Sequence, residues 1–492
     1  MARRIPRQSI AALAAALLLA LLATGADQPL APEQRTVINH ISADSLRGNL
    51  SFLASDLLEG RATPSRGLDL AAEYVAAQFR RAGLEPAGSE TSGNDGYFQT
   101  ATVIVREPNR DGFAMSVMAG GRAMTIAADE TYILPSSPLR LDDAGLVIAD
   151  GSQPLTAEAV NGKPVLVIAG QGGQRVRFPQ GARPALVLTV TTALPAGPQV
   201  TNPDAQPQAI TTGAIAKPAL ADFVRGAADA RITIRANAAS EKPAKVRNVA
   251  AILRGSDPQL RDTYVILSSH YDHLGMAAPG NTTGDDRIYN GANDDGSGSS
   301  SVMEVAGALA ALPVHPKRSV LFILFFGEER GLWGSHFYAA HPLVPPAQTI
   351  AQLNLEQVGR TDASDGPQIR TASITGYDFS DVPGILADAA QAAGVMVYKN
   401  PQNSDAYFGR SDNQSLADLG IPAHTLCVAY DFPDYHKVSD TWDKIDYDNM
   451  AAVDRAVALG MLRLASDEAP PKWNEQYAPA RRYAEAARRL HP

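Results

Sequence analysis

The stretch Ser319 to Gly334, SVLFILFFGEERGLWG, constrains the fold more than any other part of the 492-residue chain. Every residue from Val320 through Phe326 is apolar. Such a run fits a strand covered on both faces, as in parallel sheets with helices above and below, better than one stripe of an amphipathic helix. It stops at Gly327, and two adjacent carboxylates, Glu328 and Glu329, follow at the strand's end. In a parallel α/β sheet that end is where ligands and reacting groups gather. Consecutive side chains at a turn can point apart, so one carboxylate can hold a metal ion while the other meets substrate or water. Alone, the pair also fits a charged turn capping a strand. Its weight comes from the residues that accompany it.

At this length two to three domains are expected, and 45% hydrophobic residues are ample for a core. The net charge of -9 leaves no basic surplus to displace counterions, which excludes a nucleic-acid partner held by phosphate contacts. Arg3, Arg4 and Arg7 precede an apolar run from Ile10 to Ala23, and Thr24 and Ala26 are small residues at the spacing of a cleavage site. Residues 1–26 read as a secretory signal peptide, and the expected location is periplasmic or extracellular. The run is shorter than the roughly 20 residues of a membrane span, so no stable membrane anchor is expected after cleavage. Cys427 is the only cysteine. An exported chain with one thiol must rely on packing or bound metal rather than on disulfides.

Leu46, Leu50, Leu53, Leu57 and Leu58 recur at helical spacing and predict a helix over Ser42 to Leu58. A second is expected over Gly67 to Ala82, closed by Gly83. From about Ala114 to Ala239 the character changes to short β-rich runs (Gly145 to Ile148, Pro164 to Ile168, Ala185 to Val190, Arg231 to Arg235) between turns rich in Gly, Pro and Asp. This section has no histidine and no cysteine. It reads as a mostly β domain inserted into the main one, without metal chemistry of its own; an elaborated edge of the main domain is the alternative. The organisation expected is a signal peptide at 1–26, a first part of the main domain at 27–113, the insert at 114–239, the rest of the main domain at 240–470, and a tail at 471–492.

Past Val246 the ends of strands begin to carry titratable side chains. RNVAAILRG is one strand, and Tyr264 to Leu267 is another that runs into Ser268-Ser269-His270-Tyr271-Asp272-His273. A histidine at a strand exit with a carboxylate two residues on suits a metal-binding imidazole, with Asp272 fixing the ring through its other nitrogen. A solvated loop histidine is the plainer account, and His273 competes as ligand although its place suggests a loop role. Asp294 and Asp295 stand in a Gly-rich turn ahead of a helix marked by Val302, Val305, Ala306 and Leu309, where Gly296 and Gly298 permit a tight backbone. One carboxylate suffices to cap that helix, which leaves Asp294 free to bridge metals. Ile350 to Leu355 alternates and ends at Glu356. Ala423 to Val428 is the last strand; Pro433 stops its continuation and presents His436 in a loop.

Imidazoles mixed with carboxylates, without thiolates, suit zinc. If Asp294 bridges two Zn2+ ions, His270, Asp294 and Glu356 hold one while His436, Asp294 and Glu329 hold the other, each with an open position. Two ions about 3.5–4 Å apart can hold one hydroxide between them. Glu328, not spent on metal, is then free to act as general base and to return the proton to a leaving amine.

In that order HYDHLG, NDDGSG, FGEE, NLEQVG and DYHKVSDTWDKID resemble the motifs of the co-catalytic dizinc exopeptidases of metallopeptidase family twenty-eight. The resemblance is close over Val246 to Asp448, with a looser echo from Arg61 to Gln99. That family includes secreted bacterial aminopeptidases, glutamate carboxypeptidase and related glutaminyl cyclases. The resemblance implies an α/β fold, a three-layer α/β/α sandwich on a mixed, mostly parallel sheet, with an insert of the protease-associated kind and a peptide as substrate. It places His270, Asp294, Glu329, Glu356 and His436 on the metal ligands, Asp294 on the bridging one, Glu328 on the catalytic base and Asp272 on the residue that orients the first histidine. Tyr435 falls on a tyrosine that stabilises the oxyanion in some members, and Arg410 near a substrate-side position. Two positions depart from the pattern: Glu356 stands where aspartate is usual, and Asn413 where histidine is frequent. A secreted aminopeptidase is the expectation. A carboxypeptidase would need a basic cluster for which Arg410 is the one candidate, a glutaminyl cyclase uses one zinc, and a non-catalytic binding protein of this fold should have lost ligands that this chain retains.

Overall fold

The computed structural model describes residues 30–89, 96–169, 176–195, 197–202, 210–277, 282 and 284–491. The expected signal peptide lies outside the described residues, among which no helix is long and apolar enough to cross a membrane. The run that precedes Glu328 forms the strand Ser319–Phe325, buried at every position. It pairs in parallel with Tyr264–His270, which pairs in parallel with Thr349–Glu356, which does the same with Ala423–Cys427. These strands are the centre of a ten-stranded sheet. On one side Ser319–Phe325 pairs antiparallel with Ser240–Leu253, and that strand with Phe98–Glu107. On the other, Ala423–Cys427 pairs antiparallel with Thr371–Ile374, itself parallel to Met396–Tyr398.

The fold is therefore α/β on a mixed sheet, but parallel pairing does not prevail across it as expected. Phe98–Glu107 leads out of the sheet and Ser240–Leu253 leads back in beside it, and two adjacent strands so connected run in opposite directions. Between them, residues 114–236 build a five-stranded and a four-stranded sheet around an apolar cluster of their own that includes Val117, Leu166, Leu188 and Ile232. Short helices, Ala157–Val160 and Ala219–Val224, accompany those strands.

Alternate residues of the central strand enter different clusters, as period-two geometry requires. Val320, Phe322 and Leu324 pack with Phe79, Val305 and Val457, whereas Leu321, Ile323 and Phe325 pack with Tyr338, Leu416 and Tyr483. Fully burying one such side chain stabilises the fold by about 1.5–3 kcal/mol, so each face of the sheet is covered by helices whose apolar stripes match it. The segment expected as a tail belongs to the second cluster: Trp473 stacks on Tyr483 at 5.0 Å, within reach of the helix Arg481–Leu490. The first expected helix is shorter than its leucine spacing suggests. It spans Ala43–Leu53 with Ser42 as cap, and Asp56–Arg61 is a tighter turn in which Glu59, Gly60 and Arg61 take positive φ. Leu57 is consequently 80% exposed instead of facing the core. The second helix, Arg66–Arg81, begins at the Ser65 cap.

His424, in the strand Ala423–Cys427, is a buried histidine with a purely internal role. Its Nδ1 donates to the Thr375 carbonyl at 2.8 Å and its Nε2 accepts from Ser380 Oγ at 2.6 Å. Burial holds its pKa down at about 4, against about 6.5 in an unfolded chain. The unfolded state takes up a proton first as pH falls, so this contribution is intact above pH 6.5 and is lost on the way to pH 4. Between pH 7.5 and 5 the loss should reach about 2 kcal/mol. Urea unfolding at the two pH values should show that loss in the natural protein and a smaller one in His424→Gln; equal losses would contradict it.

Candidate functional site

The central parallel strands deliver their C-terminal ends to one side of the sheet. His270 closes Tyr264–His270 and Glu356 closes Thr349–Glu356. Glu328 and Glu329 follow Ser319–Phe325 after Gly327 turns the chain at φ 68°, a left-handed conformation that suits glycine. Asp294 comes from the loop ahead of the helix Gly298–Ala310, and His436 from the loop after the last central strand, at φ 53°. A non-glycine residue held there is strained, which is common at functional positions.

His270 Nε2 lies 3.4 Å from Asp294 Oδ1, while His436 Nε2 lies 3.1 Å from Asp294 Oδ2 and 3.3 Å from Glu329 Oε1. The two oxygens of one carboxylate thus face two different histidines, as a bridging ligand requires. Donor atoms about 2.0–2.1 Å from a tetrahedral zinc stand about 3.3 Å from one another, and these spacings match that edge. Asp294 Oδ2 and Glu329 Oε1 are buried and meet no donor in hydrogen-bond alignment. Such oxygens fit a cation. Glu328 and Glu356 line the same cavity as His270, Asp294, Tyr435 and His436, a space of about 220 Å³. Glu356 accepts a hydrogen bond from Ser411 Oγ, which holds the arm that is one methylene longer than aspartate.

Behind these groups other carboxylates tie one strand end to the next. Asp272 Oδ1 accepts the Glu328 backbone N–H at 3.1 Å, and its Oδ2 accepts from the Thr63 hydroxyl. Asp295 Oδ1 accepts from the N–H groups of Gly298 and Gln357, so it caps the helix and fixes the residue after Glu356. Asp440 accepts from the N–H groups of Asn293 and Asp294 at 3.0 and 3.1 Å. The ring of His270 is held first by a backbone group: its Nδ1 is 3.2 Å from the Asp272 carbonyl oxygen and 3.5 Å from the carboxylate. Asp272 therefore positions Glu328 as much as it orients the imidazole.

Several residues of the site carry no local sequence signal. Arg61 is 1% exposed and donates to the carbonyls of Leu53, Tyr271, Asn290 and Gly291, binding the loops of Asp272 and Asp294 together. Only the loose echo around Arg61 hinted at it. Asn248, in Ser240–Leu253, donates to Gln99 Oε1 and the Gly334 carbonyl and accepts from Phe326 N–H, just before the Gly327 turn. His273, expected in a loop role, is buried with Nδ1 2.8 Å from Glu329 Oε1. Of the substrate-side expectations, Tyr435 is 40% exposed with its ring stacked on His436 at 4.0 Å. Arg410 lines the cavity with its guanidinium over the Tyr407 ring. Asn413 is buried and spends its amide on Phe408 O and Thr425 Oγ1, so it makes no wall of the cavity.

Burial pushes the Glu328 carboxyl well above the usual range; His270 offsets this only in part, and Glu356, Asp412 and Glu329 add to it. Glu356 and Asp412 are likewise raised by burial to about 7. For His436 burial works the other way, but its contacts with Asp294 and Glu329 outweigh it and raise the ring to about 10.

Residues 248–461 match the family model described as Peptidase family M28. A "Probable zinc metalloprotease" of Pyrenophora teres f. teres (strain 0-1) is 34% identical over 124 residues, 25% of each chain. "Leupeptin-inactivating enzyme 1" of Streptomyces exfoliatus is 25% identical over 228 residues, 45% of each chain. The chain thus spans less than half the length of these curated relatives. Among solved structures, "Aminopeptidase from Aneurinibacillus sp. strain AM-1" aligns over 90% of this chain and 97% of its own, with a TM-score of 0.55 and 21% identity. That likeness shows a shared fold.

If the buried oxygens await a cation, its removal must be felt by the whole fold. Dialysis against a chelator should lower Tm by several degrees, and zinc return should restore it, since a ligand at 1,000 times its Kd stabilises by about 4 kcal/mol. An unchanged melting curve on both steps would show that these groups hold no metal.

Proposed function

We propose that this chain, whose residues 248–461 match the model of peptidase family M28, is an exported zinc exopeptidase, an aminopeptidase that hydrolyses the peptide bond after a free N-terminal residue. The observation that carries the reading is Asp294, with one oxygen toward His270 and the other toward His436. His270, Asp294 and Glu356 would hold one Zn2+, and His436, Asp294 and Glu329 the other. When bound, the ions supply a Lewis acid for the scissile carbonyl and lower the pKa of water to near neutrality.

The chain's own groups do the rest. Glu328 is not engaged by either histidine, and its raised pKa suits a carboxylate that takes a proton from water and hands it to the leaving amine. Its backbone is fixed by Asp272. Burial, together with the carboxylates of Asp294 and Glu329, keeps the Tyr435 phenol protonated, so it can donate to the oxyanion that develops on the carbonyl. The wider assignment follows the same reading. Residues 1–26 direct export, residues 114–239 form an inserted domain of the protease-associated kind, and the main domain is a three-layer α/β/α sandwich. A carboxypeptidase is the second reading, favoured by Arg410 on the cavity wall, where a guanidinium would pair with a substrate carboxylate.

A panel of free-amine and N-blocked peptides, assayed before and after chelation and zinc return, separates the two. Free-amine peptides should be cleaved only with metal present. Cleavage confined to blocked peptides would move the assignment to a carboxypeptidase, and none at all to a binding protein. Glu328→Gln should lower kcat by about 100- to 10,000-fold with metal content unchanged. Loss of metal in that variant would mean that Glu328 and Glu329 have exchanged roles.

A further inference from the structure

The site holds one more buried imidazole than the proposed chemistry uses. His273 is 2% exposed, its Nδ1 lies 2.8 Å from Glu329 Oε1, and neither ring nitrogen meets a partner in hydrogen-bond alignment. His273, Asp294 and Glu329 each place a donor atom within 4.8 Å of the others. The ring is fixed by its surroundings. Gly291, at φ 56°, packs so closely that a Cβ there would stand 2.5 Å from His273 Cγ. The ring centres of His273 and His436 are 5.6 Å apart, their planes inclined at 72°. Two imidazoles on one tetrahedral zinc, with Zn–N of about 2.1 Å, put their ring centres about 5.2 Å apart.

We propose that His273, through Nδ1, is a ligand of the cation held by His436, Asp294 and Glu329. The inference rests on the metallopeptidase reading above and adds an asymmetry to it. That cation would then have four protein donors, whereas the one at His270, Asp294 and Glu356 would have three. His270, Asp294, Glu328, Glu356 and His436 line the cavity, while His273 and Glu329 are not on its wall. His273 and Glu329 are buried deeper than His436, whose side chain is 35% exposed.

Apo protein titrated with Co2+ and followed by proton NMR tests this directly. Each imidazole bound to Co2+ gives a hyperfine-shifted, exchangeable ring N–H signal. The natural protein with two Co2+ bound should show three such signals, from His270, His436 and His273. His273→Phe, which keeps the ring's shape, should lose one of them and bind its second Co2+ at least about 100-fold more weakly, beyond what loss of a merely orienting partner costs. The signal count in the natural protein needs no variant to fold. Two signals with two ions bound would overturn the proposal and leave the dizinc reading standing. Uptake of fewer than two ions would overturn both.

Discussion

Taking a carboxylate out of water costs several kcal/mol unless donors or cations replace the lost hydration. At the mouth of the central sheet this cost is met in two ways. Asp272, Asp295 and Asp440 each accept a backbone N–H from a segment other than their own, although Asp295 Oδ2 is left without a donor. The segment of His270 is tied to Glu328, the turn of Asp294 to the residue after Glu356, and the loop of His436 to the turn of Asp294. Asp294 and Glu329 are left with buried oxygens that no donor satisfies. The inner carboxylates fix the spacing of the outer ones, so the position of one ligand cannot drift without loosening its neighbour. A pre-organised arrangement of this sort is what electrostatic catalysis requires, because the groups need not reorganise when charge develops.

The parts legible in the sequence are those where one local pattern carries one consequence. A wholly apolar run ending in Gly-Glu-Glu specified a doubly covered strand and the groups at its end, and the same logic applied to His270, Glu356 and His436. That one of Asp294 and Asp295 would serve the helix start was also legible, and it is Asp295 that accepts from Gly298. Where the reading fell short, the deciding contact is remote. Nothing around His273 separates a solvated loop histidine from a buried one, because its burial depends on Gly291 and its nearest oxygen on Glu329. Arg61 acts through carbonyls more than 200 positions away. The antiparallel pairing of Phe98–Glu107 with Ser240–Leu253 follows from how residues 114–236 are spliced in, which strand patterning does not report. Leu57 kept helical spacing with Leu53 and was misplaced because the helix stops at Leu53 and Ser55, at φ -78° and ψ 151°, turns the chain into extended backbone.

The two departures from the family pattern have physical accounts here. Glu356 reaches the cavity with its longer side chain braced by Ser411, so an extra methylene is absorbed by a hydrogen bond rather than by displacement of the strand. Asn413 is part of the interior, bonded to Phe408 and Thr425, and a larger ring at that position would have to turn elsewhere.

The paired strands Phe98–Glu107 and Ser240–Leu253 run in continuous register from Phe98 opposite Val249 to Glu107 opposite Ser240. At the sheet end of that ribbon Asn248 grips the Phe326 amide, two residues from Glu328. One unbroken ladder of backbone hydrogen bonds thus joins the root of the inserted section to the strand whose Asn248 holds the chain just ahead of the Gly327 turn.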